Sequence, residues 1–216
     1  MSTERLECSG MVLNVMDVGE FDRRLVILTA ERGKITAFAR GAKRMKSTLL
    51  AGCRPFVCGR FTLLPGRDSY ALVDIRIEQE FSALAETEAI YYGYYFLEFA
   101  AYFCQENIDG RGALNLCVLA CRALLKRNVS AELIKHIFEL RFLYMEGIGI
   151  VWDQEKGISE SCRQTLAYAA TCPLGKLFGF CLEASLEAEF FRCITKHKKH
   201  WLNHRFKSEE ILKIMV

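Results

Sequence analysis

Residues 39–48 read ARGAKRMKST and fall just short of a loop that grips a nucleotide phosphate. Such a loop needs G-x-x-x-x-G-K-[ST], and its second glycine lets backbone N–H groups wrap the phosphate. Here Gly41 is followed five residues later by Lys46-Ser47, and Met45 stands before the lysine with a side chain that obstructs the wrap. The motif also belongs between a strand and a helix, whereas this stretch lies between two predicted strands. Its residue types suit the phosphates of a polymer better than those of a nucleotide.

The neighbouring residues support that chemistry. Alternation along KITAFAR (34–40) puts Lys34, Thr36, Phe38 and Arg40 on one face of a strand, and Ile35, Ala37 and Ala39 on the other. Cations neutralise phosphates, and an aromatic ring stacks on any base regardless of sequence. Lys43, Arg44 and Lys46 extend the charge into a loop free to follow a backbone, while Arg23, Arg24, Arg54, Arg60 and Arg67 supply a wider field. Positions 23–67 hold 11 basic residues against one acid, Glu31, which is the electrostatic footprint of a polyanion-binding surface. The alternative is that Phe38 is a core residue and the charges merely solvate the loop.

Other groupings carry less. No G-x-S-x-G or H-E-x-x-H occurs, and a basic segment with one acid lacks the carboxylates of a metal-dependent nuclease. No enzyme activity and no cofactor is therefore expected. Cys193, His197, His200 and His204 fall along one helix face, but the set spans about 16 Å, too long for one ion. With Lys196, Lys198 and Lys199 between them, they read as a basic helix adding to a binding surface. Ten cysteines without C-x-x-C spacing read as reduced, buried apolar residues. On the helix at 130–147, Lys135, His136 and Arg141 would meet an acidic peptide, with Phe138 and Phe142 taking its apolar end. Ordinary pairing of those cations with Glu132 and Glu139 is the competing reading.

The elements that must position these groups divide the chain in two. Segments 10–19, 23–30, 34–40, 56–64 and 69–78 are short, β-branched and mostly alternating, as five strands of a small closed barrel would be. From about residue 82 the apolar period lengthens, and helices are expected at 84–104, 112–127, 130–147, 159–170 and 184–206, with Ser130 and Ser159 as N-caps. The aromatic segment from Tyr91 to Phe103 reads as a helix buried all round. The expected class is α+β: an OB-fold domain at 1–80, then an all-α domain at 81–216. The start, MSTERLECSG, lacks the pattern of a signal peptide, and no apolar run is long enough to span a membrane, so a cytoplasmic location is expected.

Several stretches, in order, resemble one family. The run from Gly10 to Phe56 resembles the N-terminal domain of the RecO recombination mediators, with G-x-V-L ahead of E-x-D at Glu20–Asp22, then T-x-x-x-G-K, A-R-G-A-K-R-x-K-S and a P-F step. LIKHIFELRFLYMEGIG (133–149), CPLGKLFGF (172–180) and the closing HRFKSEEILKIM are similar to further family segments. The resemblance implies a non-enzymatic protein that binds single- and double-stranded DNA and anneals complementary strands. It also implies partnership with RecR, contact with the acidic C-terminal tail of single-stranded-DNA-binding protein, and help in loading RecA during recombinational repair. Many members carry a four-cysteine zinc site after the F-E-L helix. Residues 147–166 hold Cys162 alone, so no zinc is carried over. An adaptor whose barrel binds protein, its basic surface incidental, is the alternative.

Overall fold

Strict alternation of buried and half-exposed residues along Gly33–Ala39 shows how the first half forms: every second side chain enters a closed core. The computed structural model describes residues 4–148 and 157–215. Strands β1 (Leu6–Val18), β2 (Asp22–Thr29), β3 (Gly33–Ala39), β4 (Val57–Pro65) and β5 (Tyr70–Glu80) close in the order β1-β2-β3-β5-β4. All neighbours are antiparallel except β3 and β5. This is the expected five-stranded OB-fold barrel, whose closure leaves no sheet edge open. Val12, Leu25, Ile27, Ile35, Ala37, Phe61 and Leu63 fill its interior. Each large side chain among them contributes about 1.5–3 kcal/mol on burial.

Helices follow: α1 (Ala89–Phe103), α2 (Arg111–Lys126), α3 (Ala131–Met145), α4 (Glu160–Thr171), α5 (Ala184–Trp201) and α6 (Lys207–Met215). The expected caps are in place, with Ser130 accepting from the N–H of Leu133 at 3.1 Å and Ser159 from that of Cys162 at 3.2 Å. Two expectations need correction. The helix placed at 184–206 stops at Trp201, and the closing residues form a helix of their own. Helix α1 is not buried all round, because Tyr94 and Tyr102 face solvent while Tyr92, Tyr95, Phe96 and Phe99 are enclosed. None of the described helices is long and apolar enough to cross a membrane.

The chain forms two compact units, one from Met1–Ser82 with Leu97–Leu114, the other from Ala83–Phe96 with Asn115–Val216. In the first, the segment after α1 lies on the barrel: Lys34 N–H donates to Gln105 O at 3.2 Å and Gly110 N–H to Ala30 O at 3.0 Å. Gly33 makes this approach possible. Its φ is +63°, and a Cβ there would sit 2.1 Å from Gln105 O.

In the second unit α3 is central and packs against α4 and α5. Residues Leu133 to Leu140 are all buried, and Phe138 stacks on Phe96 at 4.3 Å. Nine of the ten cysteines are buried and none is disulfide-bonded. Burial pushes the thiols of Cys53 and Cys162 up, to about 11 and about 12, which makes them inert.

Candidate nucleic-acid interface

Antiparallel pairing carries one outward row across three strands. Met16 pairs with Arg24, and Arg24 with Phe38, so the three side chains share the barrel's outer face. Arg24 is exposed and Phe38 half-buried. At the other end of β3 the outer face is covered. The Nζ of Lys34 donates to the carbonyl of Ala101, so this lysine is engaged internally rather than presented to a ligand.

The basic loop after β3 is less free than its composition suggests. Successive turns run through it, with Arg44 N–H on Gly41 O, Ser47 N–H on Arg44 O and Cys53 N–H on Leu49 O. Ala42, Leu49 and Cys53 enter the barrel core, and the stretch between the first two is thrown outward with Arg44, Met45 and Lys46 exposed. Three bonds tie the start of the loop to the β1–β2 hairpin. Lys43 N–H donates to Phe21 O at 2.9 Å, Gly41 N–H to Asp22 Oδ1 at 2.7 Å, and Lys43 Nζ to Asp17 Oδ2 at 2.8 Å.

Arg23 joins the same cluster, bonding Asp17 Oδ1 at 3.3 Å and the carbonyl of Cys53 at 2.7 Å. The hydrogen bond from Lys43, with Arg23 beside it, holds the Asp17 carboxyl below the usual carboxylate range. Arg44 lies over the ring of Phe21, 5.3 Å from its centroid.

The structure thus gathers Arg23, Arg24, Phe38, Arg40, Lys43, Arg44 and Lys46 around the hairpin end of the barrel. Among the described residues Arg24, Arg40, Arg44 and Lys46 have no carboxylate partner. Arg54 is exposed at the end of the loop, with its Nε on Ala51 O. Arg60 belongs to another face, on β4, where it pairs with Glu78 at 3.2 Å, and Arg67 is exposed in the β4–β5 turn. Sequence reasoning missed Phe21 and Asp17. Both sit in the β1–β2 hairpin, about twenty residues from the loop they hold, and no local pattern joins the two.

The candidate peptide residues of α3 are arranged otherwise. Phe138 and Phe142 are fully buried, so neither is available to the apolar end of a peptide. Lys135 is 6% exposed and pairs with Glu132 at 3.4 Å and Glu139 at 3.5 Å. His136 stacks on Phe191 at 4.1 Å and donates from Nδ1 to Glu132 O at 2.9 Å, and burial pushes it below the usual imidazole range. Arg141 donates to the carbonyl of Ala170.

Lys198, expected on a solvated basic helix, is instead 7% exposed and bonds Glu139 and Glu209 at 2.7 Å each. Burial would raise the Glu139 carboxyl, but Lys135 and Lys198 outweigh it and hold the group down at about 2. A cavity of about 540 Å³ borders this network, with Lys135, His136, Lys199, Arg205 and Lys213 in its wall.

The segment after the F-E-L helix holds one cysteine. Cys162 is buried in α4, and among the described residues no three His, Cys, Asp or Glu side chains are grouped to hold an ion. Residues 149–156 of that segment lie outside the described residues.

Comparison with known proteins agrees with the fold. A family model described as Recombination protein O N terminal matches residues 1–81. The DNA repair protein RecO of Alkaliphilus metalliredigens is 33% identical over 144 residues, 66% of this chain and 58% of that protein. That of Clostridium perfringens (strain 13 / Type A) is 30% identical over 149 residues, 68% and 61% respectively. This chain therefore spans about three fifths of the length of those two relatives. The DNA repair protein RecO of Acetivibrio thermocellus is 25% identical over 243 aligned residues, covering 97% of each chain.

Proposed function

We propose, for a chain that belongs to the RecO family, a non-enzymatic DNA-binding role in recombinational repair. The chain binds single- and double-stranded DNA through the hairpin end of its barrel and anneals complementary strands. With RecR it helps load RecA onto DNA coated by single-stranded-DNA-binding protein, in the cytoplasm at the nucleoid. The observation that carries this reading is the group of exposed cations at Arg24, Arg40, Arg44 and Lys46, which no carboxylate among the described residues neutralises. Such a surface attracts a polyanion by releasing its counterions and reads no sequence.

The acidic tail of single-stranded-DNA-binding protein is assigned to the cavity beside α3. Lys199, Arg205 and Lys213 supply positive charge there, in a wall that also holds Lys135, His136 and the acids Glu132, Glu209 and Glu210.

Anisotropy of a labelled oligonucleotide at several salt concentrations tests the first reading. The wild-type chain binds tightly at low salt and loses affinity steeply as salt rises. Replacing Lys43, Arg44 and Lys46 together by alanine flattens the plot of log affinity against log salt by about two to three units. An unchanged slope removes the loop from the site. Negligible binding by the wild type at low salt favours the adaptor reading.

A further inference from the structure

We infer that Phe21 is the stacking residue of this interface and makes it prefer unpaired strands to duplex. The inference rests on the DNA-binding reading above and adds to it a residue and a selectivity. Phosphate contacts alone need only cations, yet apolar side chains stand out of this basic surface. Met45, between Arg44 and Lys46, is 97% exposed, and Met16 and Val18 are exposed on the same hairpin as Phe21. A duplex hides its base faces, whereas an unpaired strand offers them to any ring or thioether at hand.

Phe21 is built to take one. It follows the turn at Gly19, where φ is +59°, and the residue is 42% exposed. Its carbonyl receives the Lys43 N–H and the side chain of its neighbour Asp22 receives the Gly41 N–H, so the hairpin from Phe21 into β2 is fixed to the cationic loop. Arg44 lies across the ring. A guanidinium held there is placed to reach the phosphate beside a base stacked on the phenyl group, adding a cation–π contact at the same point. Phe38, the other aromatic on the outer face, is more enclosed, being half-buried between Arg24 and the edge of β5.

The test compares the wild-type chain with Phe21→Leu and Phe21→Ala on a single-stranded oligonucleotide and a duplex of the same length. Both variants are expected to weaken single-strand binding about 5- to 100-fold. Duplex binding changes less than about two-fold and the salt slope stays as in wild type, because no phosphate contact is lost. Phe21→Trp keeps the affinity, and its added indole fluorescence is quenched by the single strand. Thermal unfolding serves as the control, since a part-exposed ring contributes little to the core.

Equal loss on both nucleic acids, or no loss on either, overturns the assignment while leaving the cationic reading intact. A wild type that binds neither overturns both. A protein partner that loses affinity for Phe21→Ala while single-strand binding is unchanged would reassign the hairpin tip to protein contact.

Discussion

Around the β1–β2 hairpin, Arg24, Arg40, Arg44 and Lys46 hold their charge in solvent, whereas in the helical unit Lys135 and Lys198 are turned inward onto Glu132, Glu139 and Glu209. The residue types are the same, and the difference lies in where carboxylates are supplied. A buried ammonium without a partner costs several kcal/mol, so α3 places Glu139 where Lys135 and Lys198 both reach it. The barrel leaves these four cations unneutralised, which raises mutual repulsion but keeps them available to a polymer anion. Charge density along the chain thus measures neither binding nor stability until the acids brought from other elements are counted.

The largest expected effect comes from breaking the inward set. Lys198→Met removes the nearest cation from the fully buried Glu139, leaving Lys135 and Tyr95 beside it, and should destabilise the protein by about 3–5 kcal/mol in urea unfolding. Glu139→Gln should cost less, because Lys135 keeps Glu132 and Lys198 keeps Glu209. The double variant should cost less than the sum by about 0.5–3 kcal/mol, since each change removes what the other leaves unpaired. Additive losses would show that the two groups do not depend on each other. DNA affinity per folded molecule should not move in any of the three.

Acid should act on the same contrast. The folded Glu139 carboxyl titrates at about 2, below its ordinary 4.5. Its contribution is therefore complete above about pH 4.5 and is lost as pH falls toward 2. Other carboxylates titrate in this range, so the readout is the difference between wild type and Glu139→Gln. Stability measured at pH 7, 4.5 and 3 should fall more steeply in the wild type, and the gap between the two should narrow with acid. Parallel curves would mean that Glu139 is not held ionised by its lysines.

How far this contrast was legible in the sequence depends on the range of the signal. The strands and barrel were legible because alternation at a period of two is local, and Ile35, Ala37 and Ala39 point inward as it requires. Ser130 and Ser159 were legible for the same reason, each bonding a backbone N–H three residues on. The pairing of Lys135 was legible as the competing reading, because Glu132 and Glu139 lie within one helical turn of it, whereas Lys198 misled, since a lysine in a helical run looks solvated until its distant carboxylate is known. Lys198 and Glu139 are 59 residues apart. The basic loop was legible in charge but not in shape, since Asp17, Phe21 and Asp22 hold it from another hairpin. Phe38 was visible as an outward aromatic by alternation, while Phe21 lies in a turn, where no periodicity marks a facing side chain.

The smallest effect tests whether the barrel too uses a carboxylate against its cations. Asp17 bonds Lys43 at 2.8 Å and Arg23 at 3.3 Å, and it is exposed, so it competes with an incoming phosphate for both. Asp17→Asn keeps an oxygen acceptor for Lys43 and removes the charge. Affinity for an oligonucleotide should tighten by about two- to five-fold at low salt, with the salt slope steeper by less than about one unit. The gain should fade as salt screens the field beyond a Debye length of about 10 Å near 0.1 M. Weaker binding instead would mean that the hairpin contributes the tether on Lys43 rather than a competing charge. The barrel would then resemble the helical unit, where carboxylates organise cations and no ligand has to displace them.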